Sequence, residues 1–558
     1  MVRGNFMTNY KQKYEYWLQN AKDEEVRKSL AQMEGKDEEI LNAFFKDIEF
    51  GTGGMRGIMA AGTNRLNVYT IFGATIGVAK YMQKHGMRSC AITYDSRNNS
   101  QKFSKLAAAT LASFGIKVFV TKECMPTPYL SFLVRNYHTD MGINVTASHN
   151  AAMYNGYKVY DNDGCQILDE TANELTEIIR TADPFAQPLP CFDDYLGTLI
   201  VYTDKDVEEK YKQTVLAQGL NDASGVKLVY SPLNGAGHRI VPEVLARAGV
   251  TDLIVVPEQA QPDGNFPTCP YPNPEKNEAL RLALELTKSV KANAVVTNDP
   301  DCDRLGTAIL TENGYKLLTG NEVGVLLCDY VLSSLQRLGK LPQNAVIVKT
   351  IVTTLMVNKL AQTFNAQVVD VLTGFKYIGN VIKKLQNNGE EQRYVFGFEE
   401  SCGYLKGTYV RDKDGVVASM LFCQCVAYYK KQGKTLDERL QELKEQYGNF
   451  VQKTFSYSFD GAEGAERKDE LFAEIRKNPL RKLGNSEITQ TTDFLDSDAT
   501  QLPKSNVLRY NSQDGSQLVL RPSGTEPIVK CYVSVVGDEN QAQQKLQQIH
   551  AQLDELIK

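Results

Sequence analysis

Short apolar runs alternate with stretches of helical spacing through most of this chain, and that alternation predicts its elements. Residues 91–94 read as a buried strand ending in Asp95-Ser-Arg97. A helix over 103–114, a strand over 117–121, a helix over 129–136 and a strand over 141–147 follow. A second series starts with a helix over 206–218 and a strand over 226–230. The turn Ser231-Pro-Leu-Asn-Gly-Ala-Gly237 then leads to a helix over 240–248 and a strand over 253–256. Turn-rich stretches at Pro262-Asp-Gly-Asn-Phe-Pro-Thr268 and Pro272-Asn-Pro-Glu275 precede a helix over 278–288 and a strand over 294–297. The third series has helices over 322–338 and 354–364, with strands over 345–349, 367–371 and 394–398.

Each series ends in a strand that runs into a polar loop. These loops are Thr146-Ala-Ser-His-Asn150, Asn298-Asp-Pro-Asp-Cys-Asp-Arg304 and Glu399-Glu-Ser-Cys-Gly403. Strands alternating with helices predict α/β units, and open α/β sheets place their sites at the carboxyl ends of strands. The recurrence is a structural repeat with weak identity between copies. Residues 8–48 predict one or two surface helices around Trp17, Leu18 and Val26. Beyond about 448 a polar stretch over 485–506 gives way to short strands over 507–510, 517–520 and 528–536, then an amphipathic helix over 540–557. The reading is three similar α/β domains, 1–204, 205–320 and 321–447, and a smaller α+β domain over 448–558.

Composition narrows the class. With 558 residues the chain is long enough for three to five domains, at roughly 100–200 residues each. Hydrophobic content of 42% and charged content of 23% describe an ordinary globular protein. The net charge of -5 argues against a nucleic-acid binder. Eleven scattered cysteines predict a reduced, cytoplasmic chain rather than a disulfide framework. The amino terminus has no apolar signal core, and no apolar run reaches the ~18 residues of a membrane span.

The loops suggest chemistry. Ser148 follows a buried strand, although Thr146 and Asn150 replace the glycines of a hydrolase elbow and a helix-capping serine is the plain alternative. Asp299, Asp301 and Asp303 at alternating positions repel one another unless they share a hard divalent cation. An EF-hand is excluded, since Arg304 and Leu310 stand where that loop needs Gly and Glu, and a solvated acidic turn is the remaining alternative. Glycines in Phe50-Gly-Thr-Gly-Gly-Met-Arg-Gly57 suit a phosphate, with Arg56 to hold it. Arg521, Ser523, Gly524 and Thr525 gather a guanidinium, two hydroxyls and backbone amides in one loop, a phosphate cradle or an ordinary turn. No Walker A sequence is present.

In this order, the motifs resemble those of the α-D-phosphohexomutases, in the phosphoglucomutase and phosphopentomutase branch. The resemblance covers nearly the whole chain. It implies four domains around a central cleft, the first three with mixed sheets and the fourth closing over substrate. It implies that Ser148 is the phosphorylated nucleophile and also a ligand, with Asp299, Asp301 and Asp303, of one Mg²⁺ per site. Arg56 and Lys158 stand beside the serine, Arg304, Thr373, Gly374, Glu399 and Ser401 bind sugar, and the Arg521 loop binds phosphate. His149 and Lys376 are the positions for proton transfer, although His149 merely orienting the loop is an equal reading.

The implied reaction converts glucose 1-phosphate to glucose 6-phosphate through a 1,6-bisphosphate, which also serves as activator. Pentose phosphates as substrates, a bisphosphate synthase and a silent sugar-phosphate sensor are the alternatives. Gly403 occupies the place of a histidine found in some relatives, which weakens a phosphomannomutase reading, and Ala151 replaces a common proline. Partners are sugar phosphates, with neither nucleic acid nor membrane, and the chain is read as a monomer or weak homo-oligomer.

Overall fold

Every residue of the strand Met141–Val145 is buried, and the strand lies inside a six-stranded mixed sheet. It pairs parallel with Ser89–Tyr94 and antiparallel with Tyr154–Tyr160. Lys117–Val120 and Ile200–Tyr202 extend the parallel side, while Gly54–Ile58 pairs antiparallel with Tyr154–Tyr160. Covered on both faces, the central strands read as continuous apolar runs. The fold is that of a computed structural model describing residues 2–51, 53–459, 461–523 and 528–557. Its residues fall into two units, Met1–Gly320 with Gly379–Glu391 and Ser401–Gln432, and Asn321–Ile378 with Gln392–Glu400 and Gly433–Lys558.

The expected glycine loop over 50–57 is partly strand. Gly54 needs to be glycine because a Cβ there would lie 2.2 Å from the Tyr157 carbonyl oxygen of the paired strand. In front of this sheet the helix Val2–Asn20 buries Trp17, whose ring meets Phe44, Tyr69 and Phe185 edge-on at 5.7, 5.6 and 5.3 Å. Trp17→Ala is expected to cost about 3–5 kcal/mol of stability. Denaturant titration checks it, with activity per folded molecule unchanged.

The first unit holds a second mixed sheet in the order Gly314–Leu318, Gly306–Thr311, Ala294–Thr297, Lys227–Ser231, Asp252–Val255. The second unit contains parallel Gln367–Val371, Val346–Thr350 and Tyr394–Glu399. Its carboxyl-terminal part is an antiparallel sheet built from Phe450–Ser458, Ile528–Val536, Gln517–Pro522, Leu508–Ser512 and Ser486–Asp493. The helix Glu539–Ile557 buries Ala542, Leu546, Ile549, Leu553 and Ile557 against the core of this part. The polar stretch over 485–506 therefore contains a strand. Ile488, Thr489, Thr491 and Thr492 favour extended backbone, but the strand is mostly exposed, so the apolar alternation that marks a strand is missing. Among the described residues no helix is long and apolar enough to cross a membrane, and no disulfide joins any of the eleven cysteines.

Candidate active site

Where Met141–Val145 ends, Thr146 turns the chain. Its Oγ1 donates to Asp95 Oδ2 at 2.6 Å and accepts the Ser148 amide at 2.8 Å. Ser148 is thereby held at a φ of 53°, the left-handed region that costs a non-glycine residue about 1–3 kcal/mol. In that conformation its Oγ donates to Asp299 Oδ2 at 3.1 Å and lies 3.2 Å from His149 Nδ1. Burial, then Arg304 and Arg56, lower the His149 pKa well below the usual imidazole value, so the ring is neutral at physiological pH.

Asp299, Asp301 and Asp303 follow the buried strand Ala294–Thr297 and are fully buried, with one oxygen of each within 4.8 Å of the others. The main chain turns through Cys302 at a φ of 52°, so alternate side chains face one point. Asp299 Oδ1 accepts the Arg304 amide at 3.0 Å, and Asp301 Oδ2 accepts Thr127 Oγ1 at 2.9 Å. Lys158 Nζ lies 3.3 Å from Asp301 and 3.9 Å from Asp303. Asp301 Oδ1 and Asp303 Oδ1 are buried without a hydrogen-bond partner. Burial, with repulsion from the other two carboxylates, pushes the Asp299 pKa well up. Burial and Asp301 raise Asp303, whereas Lys158 and Lys413 hold Asp301 low in spite of its burial. Buried oxygens that lack donors and repel one another fit a hard divalent cation.

Lys413 is the residue the sequence reading missed. Its Nζ lies 2.9 Å from Asp303 Oδ2. It belongs to Val410-Arg-Asp-Lys-Asp-Gly415, and the only signal was a run of charges before the apolar helix Gly415–Lys431. Asp414 caps that helix through the Val416 and Val417 amides and accepts the Tyr211 and Tyr409 hydroxyls, which fixes the segment. Arg56 donates to Asn150 Oδ1 at 3.1 Å, and Arg304 donates to Glu275 at 2.7 Å. The structure thus brings Ser148, His149, Lys158, Arg56, Arg304 and the aspartates together in the first unit, which also contains Ser401.

Thr373, Gly374, Lys376, Glu399, Arg521 and Ser523 belong to the second unit. Gly374 opens the helix Phe375–Asn387 at a φ of 119°, and Lys376 and Glu399 are buried. Arg521 hydrogen-bonds the Tyr532 hydroxyl, whose pKa is pushed up to about 12 by burial and by Glu400. The Ser523 amide donates to the Ile528 carbonyl at 2.8 Å, which closes the base of the loop. Gly524 and Thr525 lie outside the described residues.

A buried serine set against a carboxylate cluster and edged by lysines and arginines, on α/β sheets, fits a protein that handles phosphate beside a divalent cation. Relatives of known class narrow this further. Residues 47–185, 207–313 and 319–447 match the alpha/beta/alpha domains I, II and III of phosphoglucomutase/phosphomannomutase, and residues 464–552 match its C-terminal domain. The chain belongs to the phosphoglucomutase/phosphomannomutase family. It is 33% identical over 535 residues to a phosphoglucomutase of Staphylococcus aureus, spanning 93% of this chain and 95% of that one. It is 34% identical to a phosphoglucomutase of Staphylococcus haemolyticus over 89% of this chain and 91% of the other. In fold it is similar to a putative phosphomannomutase from Thermus thermophilus, with a TM-score of 0.69 at 21% identity, covering 91% of this chain and 99% of that one.

Proposed function

We propose that the chain is a phosphoglucomutase that interconverts glucose 1-phosphate and glucose 6-phosphate through phosphorylated Ser148 and glucose 1,6-bisphosphate. The observation that carries this reading is Ser148 Oγ at 3.1 Å from Asp299, within the aspartate cluster, in a chain with phosphoglucomutase relatives over nine-tenths of its length. Asp299, Asp301, Asp303 and the Ser148 phosphoryl group would hold one Mg²⁺, which as a Lewis acid draws charge from phosphorus. A phosphoserine adds about −1.5 to −2 charges, and Lys158, Arg56 and Arg304 offset them. In transfer the Ser148 Oγ–phosphorus bond breaks while the sugar's free hydroxyl forms a bond to the same phosphorus. The hydroxyl proton ends on Ser148 Oγ, and neutral His149, at 3.2 Å, is placed to pass it on. Lys376 serves the same transfer on the sugar side. Thr373, Gly374, Glu399 and Ser401 bind sugar hydroxyls. The bisphosphate then reorients and returns its other phosphoryl group to Ser148, so the bisphosphate also primes unphosphorylated enzyme.

Arg521, Ser523, Gly524 and Thr525 hold the phosphate that is not being transferred. Arg521→Ala is expected to raise KM and lower kcat, with about 1.5–3 kcal/mol lost in kcat/KM. Unchanged constants in steady-state kinetics would reduce the loop to a turn. Eleven cysteines without a disulfide among them suit a reducing cytoplasm. Turnover of glucose 1-phosphate, mannose 1-phosphate and ribose 1-phosphate under one set of conditions tests the substrate. Glucose 1-phosphate should have the highest kcat/KM, and a higher value for ribose 1-phosphate would make the protein a phosphopentomutase.

A further inference from the structure

Asp95-Ser-Arg97, after the first central strand, and Pro262-Asp-Gly-Asn-Phe-Pro-Thr268, in the second α/β series, have no role in the chemistry above. The structure joins them. Arg97 is buried, and all its terminal N–H groups are directed at the serine loop. One nitrogen, Nη1, donates to the carbonyls of Ala151 at 2.9 Å and Tyr154 at 3.1 Å. The other, Nη2, donates to the Ser148 carbonyl at 2.7 Å and to that of Asn150. Its Nε faces Asp95 Oδ2 at 3.3 Å, the same oxygen that accepts Thr146 Oγ1. Four N–H donors on one planar group thus fix both ends of the turn that carries Ser148.

The guanidinium is covered by the second motif. The Phe266 ring lies 5.0 Å from Arg97 Cζ, buried, and Phe266 is itself in the left-handed region at a φ of 47°. Asn98 Nδ2 donates to Asn265 Oδ1 at 2.9 Å. A Cβ on Gly264 would come within 2.2 Å of the Asn98 amide nitrogen, so only glycine lets the turn seat this closely. An aromatic face over a desolvated guanidinium is attractive, and it excludes water that would compete for its donors.

We propose that Arg97, clamped by Phe266, is a positioning residue that keeps Ser148 in its left-handed, reactive conformation. The inference rests on Ser148 being the phosphorylated residue. It also gives a role to the turn of the aspartate-bearing series that is built against the serine series: this contact helps align nucleophile and carboxylates. A displacement of the loop by ~1 Å is enough to cost about 10²-fold in rate.

The test uses Arg97→Lys, Phe266→Leu and Phe266→Tyr in the full chain. Arg97→Lys keeps charge but loses the fork, and Phe266→Leu keeps apolar volume but loses the ring face. Both should lower kcat at least about tenfold, with KM within about twofold and the Mg²⁺-induced rise in unfolding temperature retained. Phe266→Tyr, which keeps the ring, should hold kcat near wild type. The rate at which glucose 1,6-bisphosphate phosphorylates Ser148, read by intact mass, should fall in parallel with kcat. Wild-type kcat in Phe266→Leu overturns the clamp, as does a kcat loss matched by loss of the Mg²⁺ effect, which would show general collapse of the site. A wild type inactive on sugar phosphates would sink the mutase reading instead, and the phosphorylation rates would still decide the clamp.

Discussion

Ser148→Ala should abolish isomerisation, by about 10⁴-fold or more, the scale seen when a covalent nucleophile is removed. Its fold should survive. The hydroxyl bonds only Asp299 and His149, and the backbone around it is held by Thr146 and Arg97 rather than by its own side chain. Each such bond contributes about 1 kcal/mol, too little for its loss to unfold the chain. Intact-mass spectra of the wild type after glucose 1,6-bisphosphate should show the phosphoryl increment, and the variant should lack it. A variant that still isomerises at more than a hundredth of the wild-type rate, about 2.7 kcal/mol of barrier, would remove Ser148 from the reaction.

The second large effect concerns the aspartates. Asp301→Asn keeps the shape of a fully buried side chain but removes its charge and replaces one of its two ligand oxygens with an N–H donor. Because a cation at this site is asked for several kcal/mol of charge stabilisation, turnover should fall by more than about 100-fold. Stability without metal should change far less. The variant loses the pairing of Asp301 with Lys158 at 3.3 Å, but it also relieves repulsion from Asp299 and Asp303. Mg²⁺ should stabilise the wild type by about 2.7 kcal/mol at a hundred times its dissociation constant, and the variant much less. Thermal unfolding with and without Mg²⁺ separates these terms. Full wild-type activity in excess chelator, with no Mg²⁺-dependent rise in unfolding temperature, would contradict the assignment.

The buried parallel strands and the loops at their ends were readable in the sequence because burial on both faces leaves unbroken apolar runs followed by polar residues. That signal placed Ser148 and the aspartates correctly at strand ends. Tyr154–Tyr160, which carries Lys158, was harder: in Asn155-Gly-Tyr-Lys158 asparagine and glycine sit inside the strand, and the ladder with Gly54–Ile58 makes the extended conformation. Lys413 was out of reach for a different reason. Its role depends on a contact with Asp303, 110 positions earlier, and no local period reports such a pairing. Arg97 was visible only as the end of a strand motif, since its partners are backbone carbonyls, which carry no sequence identity.

Covalent transfer from Ser148 to sugar is the centre of the account, and a single turnover tests it most directly. Protein phosphorylated on Ser148 is mixed with one equivalent of glucose 1-phosphate and Mg²⁺, then quenched at intervals. Intact mass follows the protein and ³¹P spectra follow the sugar. The account predicts that the phosphoryl group leaves Ser148 as glucose 1,6-bisphosphate appears, at a rate no slower than steady-state turnover. Glucose 6-phosphate forming while Ser148 keeps its original phosphoryl group would contradict it.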